Sequence, residues 1–94
     1  MSNVDKKILA TLALYMLEEL AWREKVKLKY WKTFRLVQFW LGEETARKIV
    51  EKLAEGRYIK LEGGYVILLK KFKPSKSLNA ILRDTYTLLV LQRL

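Results

Sequence analysis

Residues 58–69 read Tyr-Ile-Lys-Leu-Glu-Gly-Gly-Tyr-Val-Ile-Leu-Leu, two short alternating runs on either side of a glycine pair. Glycine reaches positive φ without the Cβ clash that other residues meet, so Gly63-Gly64 suits a tight hairpin turn between strands at 58–62 and 65–69. A turn at that pair sets the register. Leu61 lies opposite Val66 and Ile59 opposite Leu68, and these four share the face toward the core. Tyr65, Ile67 and Leu69 then point the other way. They are apolar too, so another segment must cover them.

Upstream, residues 25–30 (Lys-Val-Lys-Leu-Lys-Tyr) alternate strictly. Val26, Leu28 and Tyr30 point one way and Lys25, Lys27 and Lys29 the other, the signature of a half-buried strand whose lysines suit a sheet edge. Much of the remainder reads as helix. Asp5 caps a helix running to about Trp22, with Ile8, Leu9, Leu12, Ala13, Met16, Leu17 and Leu20 on one face. Ala10, Leu14 and Ala21 add apolar surface outside that stripe, so the face is unusually broad. Thr33 is expected to cap a second helix over 34–41, with Phe34, Val37 and Leu41 on one face, Trp40 near them and Gly42 as its stop. A third helix opens with Glu43, Glu44 and Thr45, the acidic pair suiting the positive end of the helix dipole. It turns Ala46, Ile49, Val50 and Leu53 to the core and ends at Gly56. Pro74 breaks the chain, and Ser75 or Ser77 caps a last helix from Leu78 onward. Thr85-Tyr86-Thr87 would also fit a strand; the spacing of Leu78, Ile81, Leu82, Leu88 and Leu89 favours helix.

The expected fold class is therefore α+β and mostly helical, in one domain over residues 1–94. Ninety-four residues, 51% of them hydrophobic, suffice for one core and leave no room for a repeat. Cysteine and histidine are both absent. That excludes disulfides, thiolate nucleophiles, the usual zinc ligand sets and histidine acid–base chemistry. No catalytic set can be assembled. The carboxylates of the third helix (Glu43, Glu44, Glu51, Glu55) sit among Lys and Arg on a surface face, where pairs such as Glu44–Lys48 are the plainer reading. No enzyme activity, cofactor or metal is expected. The apolar run Ile8–Leu17 is too short for a bilayer, which needs about 20 residues. Glu18-Glu19 follow it in place of a small-residue cleavage site. A cytoplasmic protein with no membrane partner is expected. Two Asn and two Gln against many Lys, Glu and Arg are typical of hyperthermophile proteins and point to a hot-living archaeon, or a virus or plasmid of one.

The formal net charge is +9, which attracts polyanions, nucleic acid first. It is unevenly spread. Residues 21–40 hold Arg23, Lys25, Lys27, Lys29, Lys32 and Arg35 against Glu24. Residues 57–76 hold Arg57, Lys60, Lys70, Lys71, Lys73 and Lys76 against Glu62. The third helix is close to neutral.

The element order over residues 5–70, with the run Phe34-Arg-Leu-Val-Gln-Phe-Trp-Leu-Gly-Glu-Glu-Thr-Ala-Arg-Lys-Ile-Val-Glu-Lys-Leu-Ala-Glu-Gly-Arg-Tyr-Ile59, resembles the winged helix-turn-helix superfamily, in particular small archaeal DNA-binding proteins. The resemblance implies a winged-helix core at 5–70 with an added C-terminal packing or dimerisation helix at 77–94. It implies that the lone strand joins the hairpin in a wing sheet, so that both basic blocks converge on one side. It also implies that the third helix enters the major groove of double-stranded DNA. The groove-facing positions would be Glu44, Thr45, Arg47, Lys48 and Lys52, with Arg47 suited to guanine and Thr45 to a base or a phosphate. Lys60, Lys70, Lys71 and Lys73 would lie along phosphates. Lys25, Lys27 and Lys29 divide equally between phosphate contact and edge protection. Glu43 and Glu44 repel phosphates, which favours backbone binding over sequence reading, or a winged helix turned to protein partners. The expected function is a nucleoid-associated transcriptional regulator or chromosome protein. The alternative is an accessory subunit of a replication or transcription complex.

Two apolar surpluses remain. Trp22, Tyr30, Trp31, Phe34, Phe39 and Trp40 fall within nineteen residues. Phe34, Tyr30 and one or two tryptophans are expected in the core, leaving the others for a covering segment or a partner. The last helix is apolar on more than one face. It is the nearest cover for Tyr65, Ile67 and Leu69, and what it leaves exposed suits a homodimer built from the first and last helices. Leu14, Leu82, Tyr86 and Leu89 are the interface candidates.

Overall fold

A computed structural model describes residues 5–92. Its elements are α1 (Lys6–Arg23), β1 (Lys25–Lys27), a 3-10 turn (Leu28–Tyr30), α2 (Lys32–Leu41), α3 (Glu43–Glu55), β2 (Ile59–Glu62), β3 (Tyr65–Leu68) and α4 (Leu78–Leu91). The three strands form one antiparallel sheet in the order β1-β3-β2, so this is a mostly helical α+β domain. The hairpin register is the one its glycines dictate: Ile59 pairs with Leu68 and Leu61 with Val66, across a turn in which Gly63 and Gly64 have φ of 58° and 83°. Ile59, Val66 and Leu68 are buried, whereas Leu61 is half-exposed. It lies near the turn on the outer strand, beyond the reach of the helices that cover its three neighbours.

The first strand is shorter than the alternation predicts. It ends at Lys27 and the chain curls into the 3-10 turn, closed by the Leu28 N–H donating to the Gly64 carbonyl (2.9 Å). Tyr30 is thereby turned out, 58% exposed, and Trp31 takes the core position, fully buried. The Trp31 ring stacks on Phe34 (5.7 Å between centroids), and its Nε1–H donates to the Met16 carbonyl (3.2 Å), so the indole is buried with its polar edge satisfied. Around it lie Leu12, Met16 and Leu20 of α1, Val37 of α2, Ala46, Ile49, Val50 and Leu53 of α3 and Leu89 of α4.

Helix α2 is not capped by Thr33, which lies inside it. Its N-terminus is closed from α1. The fully buried Glu19 carboxylate accepts from the N–H groups of Lys32 (3.0 Å) and Thr33 (2.8 Å), from the Thr33 hydroxyl (2.8 Å) and from Arg23 Nε (2.8 Å). A helix N-terminus leaves its first N–H groups without partners, and a carboxylate suits both those donors and the dipole. Glu18 does the same for the chain entering α4. It accepts from the Ser75 N–H (2.9 Å) and hydroxyl (2.7 Å), which leaves Ser77 as the cap of α4. Trp22 Nε1–H donates to the Lys76 carbonyl, and the Lys76 ammonium lies over Tyr15 and pairs with Asp84 at 2.6 Å. The hydrogen bond to Asp84 raises the Lys76 pKa, and the one from Lys76 lowers that of Asp84.

These ties lay α4 against α1 and α2 rather than along the sheet. The expectation that it covers Tyr65, Ile67 and Leu69 is thus overturned. Leu69 is half-exposed and Tyr65 and Ile67 stay partly accessible, with Tyr65 shielded by lysine side chains instead.

Candidate nucleic-acid interface

On an antiparallel sheet, residues directly opposite one another project from the same face. Lys25 pairs with Ile67 and Lys27 with Tyr65 across β1 and β3, and Lys60 pairs with Ile67 across β2 and β3. The outer face therefore carries an apolar centre strand flanked by Lys25 and Lys27 on one side and by Lys60 and Glu62 on the other. The Lys25 and Lys27 ammonium groups lie 4.6 and 5.9 Å from the centre of the Tyr65 ring.

At the hairpin end of the sheet, the 3-10 turn and α2 close a cleft of about 680 Å³, lined by Lys27, Leu28, Lys29, Phe34, Arg35, Gln38 and the turn glycines. Arg35 is fixed there by donating from Nη1 to the Lys29 carbonyl (2.7 Å), a contact that exists because residues 28–30 curl instead of continuing the strand. Three cations line the cleft and no carboxylate does. None of the ion pairs among the described residues involves Lys25, Lys27, Lys29, Lys32 or Arg35. Arg35, whose charge the sequence counts but whose role it does not reveal, joins Lys27 and Lys29 through this turn. The clue in the sequence is its six-residue separation from Lys29, which carries meaning only once the turn is known.

Other cations are differently placed. Lys60 and Lys71 lie 3.5 Å from Glu62 and Glu24, and Arg47 pairs with Glu43 one turn back on α3. Lys70 sits over the Tyr58 ring at 4.1 Å. Lys73 is exposed on the segment between β3 and α4. Thr45, Lys48 and Lys52 do not join the basic cleft. With Glu44 they line a second, open groove between α3 and α1, of about 830 Å³. The predicted contact residues thus do not share one surface: Lys27 and Lys29 line the cleft, Thr45, Lys48 and Lys52 line the groove, and Arg47, Lys60, Lys70, Lys71 and Lys73 line neither.

Of the interface candidates, Leu14 and Tyr86 are half-exposed and Leu82 is partly buried. Tyr86 meets Trp40 edge-on (5.8 Å), and Trp40 meets Phe39 likewise (5.8 Å). Leu89 is fully buried in its own chain, because α4 turns it into the core beside α1 and α2, so it offers nothing to a partner. Among the described residues, no three His, Cys, Asp or Glu side chains are grouped to hold a metal ion, and no helix is long and apolar enough to cross a membrane. No protein-family model, curated protein or solved structure matches the chain.

Proposed function

We propose that the chain is a winged helix-turn-helix protein that binds double-stranded DNA, mainly through phosphates, as a transcriptional regulator or chromosome-associated protein. The observation that carries the reading is the carboxylate-free cleft of Lys27, Lys29 and Arg35 beside the hairpin turn. A backbone phosphate suits such a place. Its charge is met by cations with no internal competitor, and the exposed glycine turn lets a bulky strand approach. The strand order β1-β3-β2 and the α2–Gly42–α3 corner support the fold assignment.

The test is a binding titration of Lys27→Glu/Lys29→Glu on several unrelated duplexes. Affinity should drop on all of them alike, and the slope of log K against log salt should shrink by about two. A loss confined to one sequence would assign these lysines to base reading and sink the phosphate role.

The reading includes a homodimer through the outer faces of α1 and α4, where Leu14, Leu82 and Tyr86 remain accessible. Two-fold pairing would set two α3 helices for successive major grooves, about 34 Å apart. Sedimentation equilibrium at micromolar concentration should give twice the 11.2 kDa chain mass. A single-chain mass would remove both the dimer and the expectation of a palindromic site. A second reading, an accessory subunit contacting protein, is favoured by Phe39, 78% exposed beside Trp40.

A further inference from the structure

We infer that the groove between α1 and α3 docks an acidic amphipathic helix of a partner protein. Its floor is apolar: Leu9, Ala10 and Ala13 from α1 meet Ile49 and Leu53 from α3. The two alanines leave room for a backbone to come close. The rim is cationic, with Lys6, Lys48 and Lys52 against the lone carboxylate of Glu44. Residues 44–53 span about 13 Å of helix axis, between two and three turns. That length matches the i, i+3, i+4, i+7 anchors of a helix laid in a groove.

An apolar floor suits leucines better than it suits phosphates, and the lysine rim selects carboxylates flanking those leucines. A second copy of this chain fits less well. Its α1 would bring Lys6 and Lys7 against the same lysines, the apolar face of α3 is already in the core, and α4 offers the lysine rim only Asp84, which Lys76 already holds. The inference stands without the DNA reading. It uses residues which that reading assigns to the major groove, so if both hold, helix and duplex compete.

The probe is a fluorescein-labelled peptide of about 16 residues, with Leu at helical anchor spacing and Glu between, alongside a twin carrying Lys for every Glu. The 94-residue chain should bind the acidic peptide and not the basic twin. Lys48→Glu/Lys52→Glu should weaken binding at least about tenfold. Ala10→Trp, at an exposed position of α1, should block the groove by filling it, while Arg83→Glu on α4, outside both basic surfaces, should leave binding within about twofold. Amide shifts on peptide addition should centre on residues 9–13 and 44–53. Equal binding of both peptides, binding of neither, or indifference to both groove variants overturns the inference. So does self-association that perturbs the same amides on concentration alone. Failure of the DNA reading would appear separately, as absent duplex binding with peptide binding intact.

Discussion

Duplex affinity is expected to fall about 10³-fold between 50 and 200 mM salt, whatever the sequence of the duplex. The expectation follows from counting cations that lie open to a phosphate. Lys25, Lys27, Lys29, Lys32 and Arg35 have no carboxylate partner among the described residues, and Lys73 is exposed downstream of the sheet. About six phosphate contacts give a slope near −5 in log K against log salt, because each contact releases condensed counterions. Lys60 and Lys71 could add to this despite Glu62 and Glu24. Their pairs are exposed, at 3.5 Å, and such pairs contribute at most about 1 kcal/mol, so a phosphate can take the lysine. Arg47 sits in a similarly exposed pair with Glu43 that a phosphate can open, but Glu43 and Glu44 themselves meet an approaching backbone with like charge. Hence the salt-dependent part should come from the sheet and α2, with little from α3. A fluorescence-anisotropy titration at four salt concentrations measures the slope. A value near zero would remove phosphate binding as the mode and leave protein contact as the surviving reading.

The parts of the fold that the sequence made legible are those governed by local chemistry. The hairpin register follows from two glycines and a period of two. The α1 cap follows from Asp5, whose carboxylate accepts from the Lys7 N–H (2.8 Å). The stop of α2 follows from Gly42, at φ 97°. Where local and tertiary demands differ, the tertiary demand wins. Lys25–Tyr30 alternates as a strand should, yet β3 pairs with only three of its residues before the chain must turn toward α2. Tyr30 and Trp31 then exchange the roles their spacing suggests. Thr33 looks like a cap because Thr often is one, but a carboxylate fourteen residues upstream performs the task. In the sequence Glu18-Glu19 are only the acidic pair that ends an apolar run. Nothing within a helical turn marks them as ties to residues 14 and 57 positions away. The same limit applies to the basic surface. Charge blocks are visible in the sequence, but the separation of Lys27, Lys29 and Arg35 from Thr45, Lys48 and Lys52 depends on where α1 lies against α3.

Glu19→Ala is expected to destabilise the fold by about 3–5 kcal/mol, the largest effect of truncating any single carboxylate among the described residues. The side chain is fully buried and accepts four hydrogen bonds from three residues. Truncation strands the Thr33 N–H and hydroxyl in the interior, each worth about 1–3 kcal/mol when left unsatisfied. Arg23, whose side chain is partly exposed, recovers part of its loss from water. The Lys32 N–H opens to solvent more readily than that of Thr33, because Lys32 is itself exposed. A cavity term adds to this, since four heavy atoms (Cγ, Cδ and both carboxylate oxygens) are removed from a fully buried site at the start of α2. Glu18→Ala is the internal comparison. It also removes a buried carboxylate, but its partner Ser75 is exposed and can turn to water, so about 1–2 kcal/mol is expected. For a domain of this size 3 kcal/mol corresponds to roughly 12–24 °C in Tm. Urea unfolding of both variants, followed by tryptophan fluorescence, measures the difference directly. If Glu19→Ala were no more disruptive than Glu18→Ala, the carboxylate would not be what holds α2 against α1. The position of Arg35 in the basic cleft, which depends on the start of that helix, would then need another cause.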